Sequence, residues 1–154
     1  MPTDLQPLGR LTNPLEGYAI SGEKGSAMAL KDCKIGTAAP VTDLAKARDF
    51  YESKLGFQPS DPVGDDMVAY ELGGGTGLMV YVSDHAGTNK ATLAGFEVSD
   101  FDATFAELSE RGVEFERFED ESGATTDEEG IIDAGDYRVA FFKDPDGNIF
   151  SING

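Results

Sequence analysis

The feature that most restricts what this chain can fold into is an internal repeat. Val41-Thr42-Asp43-Leu44 returns as Val98-Ser99-Asp100-Phe101, 57 positions later, and the glycines Gly56 and Gly112 stand 56 apart. Each half opens with a short apolar strand. An Asp follows, able to accept hydrogen bonds from the first N–H groups of a helix. Apolar residues then recur at helical spacing until a glycine stops them. In the first half the strand is 35–41, and the helical stripe is Leu44, Ala47, Phe50, Tyr51 and Leu55. Strand candidates 57–58, 67–72 and 78–82 complete it. In the second half the strand is 93–98, the stripe is Phe101, Thr104, Phe105 and Leu108, and strands are predicted at 113–118, 137–143 and 148–152. A unit this long that occurs twice does not suit a solenoid. It reads as a duplicated βαβββ module. The predicted fold is α+β: tandem modules at about 34–90 and 91–154, forming a cupped mixed sheet with helices on the outside.

Two turns punctuate the modules. Gly73-Gly74-Gly75-Thr76-Gly77 suits a hairpin and lacks the Gly-Lys-Ser/Thr ending of a phosphate loop. Asp144-Pro145-Asp146-Gly147 resembles a fragment of a calcium loop, but the glutamate such a loop needs would fall past residue 154, so a turn is expected. Residues 1–33 carry Pro2, Pro7 and Pro14 with no lasting periodicity. They are expected to form an extension, either mobile or laid across the domain, with 26–30 open to a short strand or a helical turn.

Charge narrows the partners. Twenty-nine Asp and Glu against twelve Lys and Arg give a net charge of −17, which repels nucleic acid and anionic lipid. The acidity is either a solvated surface suited to high salt or a field that attracts a cationic ligand. No apolar run is long enough to span a membrane, and the N-terminus does not read as a secretory signal. The single cysteine, Cys33, precludes an internal disulfide and fits a cytoplasmic location.

Three stretches carry a resemblance. "PVTDLAKARDFYESKLGF" (40–57), "GFEVSDFDATFAELSERGVEF" (95–115) and "FFKDPDGNIFSI" (141–152) resemble the glyoxalase/bleomycin-resistance/dioxygenase family, the vicinal oxygen chelate proteins. The resemblance covers 34–154 and implies paired βαβββ modules, often in dimers. It implies no single activity, since the family includes isomerases, ring-cleaving dioxygenases, thiol transferases and metal-free drug binders. In metal-using members, His or Glu ligands sit on the first and last strands of the modules. The matching positions here are Gly36, Leu93 and Ser151, with Met79 or Tyr81 on the remaining strand. These supply no carboxylate or imidazole, so neither the usual metal nor any other cofactor is expected. The sole histidine, His85, lies in a polar stretch and reads as an exposed loop residue, with a lid, general-base or ligand role left open.

Strand alternation then maps the cup. With Gly36, Leu93 and Ser151 facing it, Ala38, Gly95, Glu97 and Ile149 share that face. Ile35, Val41, Phe96, Val98, Phe150 and Ile152 turn towards the helices. The expected ligand-binding residues are Met79, Tyr81, Leu93, Glu97, Phe141 and Ser151, with Tyr70 as a possible addition. This apolar and aromatic set suits a partly apolar small organic molecule. Glu97 either meets a cationic group or lies at the rim. Tyr51 is expected in the helix core, and Cys33 has only Lys31 and Lys34 near it to lower its pKa. Acidic residues 119–136 form either a lid or a solvated loop.

Three functions compete. The first is a metal-free small-molecule-binding protein. The second is a lyase, isomerase or dioxygenase with a non-standard metal site or no metal, with Glu97 as base and Tyr81 as proton donor. The third is an interaction domain whose cup takes a peptide or the chain's own N-terminal segment. A homodimer is implied by the resemblance alone.

Overall fold

A computed structural model of the protein describes residues 29–60, 64–119 and 125–154. The chain divides into two compact units, Met1–Cys33 and Lys34–Gly154. Of the first, residues 29–33 are described and hold a 3₁₀ turn, Leu30–Asp32; residues 1–28, and with them most of the expected extension, lie outside the described residues.

The second unit holds two four-stranded mixed sheets. β1 (Gly36–Val41), β2 (Pro59–Ser60), β3 (Met67–Glu71) and β4 (Gly77–Val82) form one, in the order β1-β4-β3-β2. β5 (Thr92–Glu97), β6 (Ile131–Asp133), β7 (Arg138–Lys143) and β8 (Ile149–Asn153) form the other, in the order β5-β8-β7-β6. In each sheet the first strand pairs parallel with the last, and the remaining pairs are antiparallel. This is the tandem βαβββ arrangement that the repeat predicts.

The repeated sequence performs the same local work twice. The Asp43 carboxylate accepts from the Lys46 N–H at the start of α1 (Leu44–Arg48), which continues as a π-helical stretch, Asp49–Lys54. The Asp100 carboxylate accepts from the Ala103 N–H at the start of α2 (Phe101–Glu110). Gly56 and Gly112 take φ of 75° and 79° after the two helices, a conformation that costs a side chain-bearing residue about 1–2 kcal/mol.

Both modules share one core. Leu78, Val80, Ala39 and Val41 from the first sheet are fully buried, as are Ala140 and Phe150 from the second. Rings bridge the modules: Tyr51 meets Phe150 edge-on at 6.1 Å, Phe50 meets Phe142 at 6.4 Å, and Phe57 meets Phe96 at 5.9 Å. The π-helical stretch of the first module thereby packs against the sheet of the second.

Three expectations need correction. Residues 113–118 do not form a strand; they make an isolated bridge, Phe115 to Phe142, while the fourth strand of the second sheet is β6. Ile131 and Ile132 pair with β7 once Gly130, at φ 93°, has turned the chain. Their surroundings are acidic, so the segment reads as loop by composition although two β-branched residues suffice for a short strand. The first module's second strand lies at 59–60 rather than 57–58, because Phe57 turns its ring into the core. Ile35 precedes β1 and is 82% exposed, so it does not pack towards the helices.

Candidate functional site

Alternation along the strands separates the core side of each sheet from its open side. In β4, Leu78 and Val80 are buried in the core, and Met79 and Tyr81 leave on the other face, half-buried. Register places Met79 between Ala38 and Ala69, and Tyr81 between Pro40 and Met67.

The second sheet repeats the pattern. Phe150 and Ile152 face the core, and Ser151 turns to the open side between Gly95 and Phe141. Asn153 lies two residues on, between Glu97 and Val139. Glu97 is exposed and Phe141 half-buried, its ring 5.7 Å from that of Phe118. Met79 and Tyr81 thus share one sheet, and Glu97, Phe141 and Ser151 share the other. Among the described residues no hydrogen bond or ring contact joins the two groups.

Two expected members sit differently. The β5–β8 register passes from Thr92 beside Ile149 to Ala94 beside Phe150, so Leu93 is the extra residue of a bulge. It is half-buried and packs against the core cluster. Uninterrupted alternation, assumed from sequence, cannot anticipate that shift. Tyr70 belongs to the core and not to the cup lining. It pairs with Leu78, is 1% exposed, and donates its hydroxyl hydrogen to Glu52 at 3.2 Å. Burial first, and the Glu52 charge second, hold its phenol well above the ordinary range, so it remains protonated.

A polar cluster joins the modules beside the core, and its members were not read from sequence as partners. Asp144, 5% exposed, accepts from the Tyr51 hydroxyl at 2.7 Å, from the Asn148 side-chain amide at 2.7 Å, and from the backbone N–H groups of Asp146 and Asn148. Asn148 also donates to the Pro40 carbonyl at 2.8 Å, and Asp146 accepts from the Thr42 N–H and hydroxyl. The turn of the second module thereby satisfies backbone and side-chain groups at the β1–α1 junction of the first. Burial, then the adjacent Asp144 charge, raises the Tyr51 phenol far above its ordinary value, which keeps it a donor. The signal available in sequence was the clustering of Asp144, Asp146 and Asn148 in one short turn, more polar groups than a turn needs.

The positions where a metal would be ligated were tested by their chemistry. Gly36, Leu93 and Ser151, with Met79 and Tyr81, provide no imidazole or carboxylate, and no group of three His, Cys, Asp or Glu able to hold a metal occurs among the described residues. This set does not fit a transition metal. His85 is exposed in the loop after β4, and Cys33 is exposed. A surface groove of about 440 Å³, lined by Phe105, Ser109, Val113, Phe115 and Arg117 among others, shares no residue with the open sheet faces. No helix among the described residues is long and apolar enough to cross a membrane.

Comparison with known proteins agrees with this architecture. Residues 35–152 match the sequence profile of the Glyoxalase/Bleomycin resistance protein/Dioxygenase superfamily. Among solved structures, a glyoxalase/bleomycin resistance protein from Streptomyces sp. CB03234 is 29% identical, with 79% of this chain and 100% of that one covered and a TM-score of 0.53. TnmS3, an antibiotic binding protein from Streptomyces sp. CB03234, is 27% identical, with coverage of 84% and 98% and a TM-score of 0.56. A glyoxalase/bleomycin resistance protein from Catenulispora acidiphila DSM 44928 is 24% identical, with coverage of 78% and 96% and a TM-score of 0.57. No curated protein matches.

Proposed function

Because the chain belongs to the glyoxalase/bleomycin resistance protein/dioxygenase superfamily, we propose that it is a metal-free binding protein for a partly apolar, aromatic small molecule. The observation that carries this reading is the composition of the open sheet faces. Half-buried Met79, Tyr81 and Phe141 offer apolar and aromatic contact, and Ser151 stands where a metal-using relative would need a ligand. The 27% identical antibiotic binding protein supports it as a relative that binds a small organic molecule. Leu93 and Glu97 complete the proposed set of contacts. We further propose a homodimer in the cytoplasm.

The test is titration with the neutral fluorescent probe N-phenyl-1-naphthylamine, with metal content measured by plasma mass spectrometry on the same sample. Saturable binding at one site per chain, with metal far below one equivalent, is the expected result. Tyr81→Ala and Phe141→Ala should each weaken it roughly tenfold or more, the scale of losing one buried aromatic contact. Stoichiometric transition metal, or no saturable binding, overturns the reading.

A further inference from the structure

Ser151 is 6% exposed, and its hydroxyl has no hydrogen-bond partner among the described residues. A buried hydroxyl left unpaired is costly, so its retention calls for a cause. The neighbours indicate one. A methyl group placed at Gly95 would sit 2.9 Å from Ser151 Oγ and 3.0 Å from Asn153 Oδ1. The absence of a side chain at 95 therefore lets two oxygens close in over its backbone, a niche on the open face of the second sheet that a Cβ would crowd. Glu97 stands beside Asn153 on the same face.

All three side chains can accept a hydrogen bond, and one carries a full negative charge. Two basic residues of the same sheet are engaged elsewhere. Lys143, on the open face of β7, is ion-paired with Glu116 at 2.7 Å. Arg138 holds Asp102 at 2.7 Å and lies over the Phe101 ring at 4.6 Å. Glu97 makes no ion pair among the described residues. Phe141 pairs with Ser151 across β7 and β8, so an aromatic surface adjoins the niche directly.

We infer that Gly95, Ser151, Asn153 and Glu97 form a polar anchor for a protonated amine on the ligand, whose apolar body lies along Phe141. This rests on the small-molecule reading above and specifies its ligand class as a cationic aromatic amine. The Ser151 hydroxyl and Asn153 carbonyl accept from the ammonium N–H groups, and Glu97 supplies the countercharge, a combination stronger than neutral hydrogen bonding.

The experiment displaces bound N-phenyl-1-naphthylamine with 2-naphthylmethylamine and, in parallel, with 2-methylnaphthalene. The amine should displace the dye at a concentration roughly tenfold lower than the hydrocarbon, the gain expected of one charge-assisted contact. Ser151→Ala, Glu97→Gln and Gly95→Ala should each remove most of that preference, read as the ratio of the two displacing concentrations in the same variant. Ser151→Ala should also leave the melting temperature of the free protein equal or higher, because it removes an unpaired hydroxyl. Equal displacement by the two compounds, or an amine preference that survives Ser151→Ala, overturns the anchor while the cup remains a binding site. If the dye itself does not bind saturably, the cup reading fails and this inference with it.

Discussion

The phenolic hydroxyl of Tyr51, in the helical segment of the first module, donates a 2.7 Å hydrogen bond to the carboxylate of Asp144, in the last turn of the second. Both groups are buried, and the bond spans 93 positions of sequence. It marks where the polar join between modules meets the shared aromatic core. Tyr51→Phe keeps the ring and its contacts with Phe57, Tyr70 and Phe150 while depriving Asp144 of one donor. Stability should fall by about 1–3 kcal/mol, read as a lower urea midpoint at unchanged slope.

Phe150→Ala tests the core itself. The ring touches Tyr51 from the first module and Phe96 and Phe142 from its own, so truncation opens a cavity where both modules meet. A loss of about 3–5 kcal/mol is expected. Thermal unfolding should remain a single transition at a lower temperature, since both modules lose packing together.

Gly130 and Gly135 allow a matched comparison. Both have positive φ, 93° and 88°, but only at Gly130 would a methyl group meet backbone, the Glu116 carbonyl oxygen at 2.8 Å. Gly135→Ala should cost about 1–2 kcal/mol, the conformational penalty alone. Gly130→Ala should cost about 1–3 kcal/mol more, because the chain must shift to admit the methyl. Chemical denaturation of the two variants side by side measures the difference.

Among the described residues three carboxylates are held below their ordinary range: Glu52 by its hydrogen bond to Arg48, Asp102 by its hydrogen bond to Arg138, and Asp127 mainly by the Ile131 N–H. A carboxylate with a depressed folded-state pKa contributes stability above its unfolded value, and that contribution disappears as pH falls through the folded value. Acid also relieves the repulsion of a −17 chain, which opposes the loss. The informative quantity is therefore a difference. The melting temperature gap between the parent protein and Asp102→Asn should be constant near neutral pH and close below about pH 4.

Much of the fold was legible because its determinants are local. The two capping aspartates, the glycines after the helices and the apolar stripes act within a few residues of one another, and the repeat displayed them twice. Alternation likewise puts Met79 and Tyr81 on one face of their strand, opposite Leu78 and Val80, but it also assigns Val82 to the core side, and Val82 is 42% exposed. What escaped was non-local or a departure from period two. The bulge at Leu93 depends on pairing with β8, and Tyr70 faces the core because β3 takes its register from β4. Tyr51 and Asp144 meet only when the modules dock. At the candidate site, residue types on each face could be listed from sequence, but the niche at Gly95 required knowing that Ser151 and Asn153 flank it.

The polar join at the Asp144–Asn148 turn is one-sided. The turn at Asp144–Asn148 reaches from the second module to Pro40, Thr42 and Tyr51 of the first, whereas the corresponding turn of the first module is a run of glycines with no carboxylate or amide to return the gesture. The two halves are therefore not interchangeable despite their shared architecture: a copy of the second in place of the first would remove Tyr51, a copy of the first in place of the second would remove Asp144, and either chimera would lose the 2.7 Å bond between them.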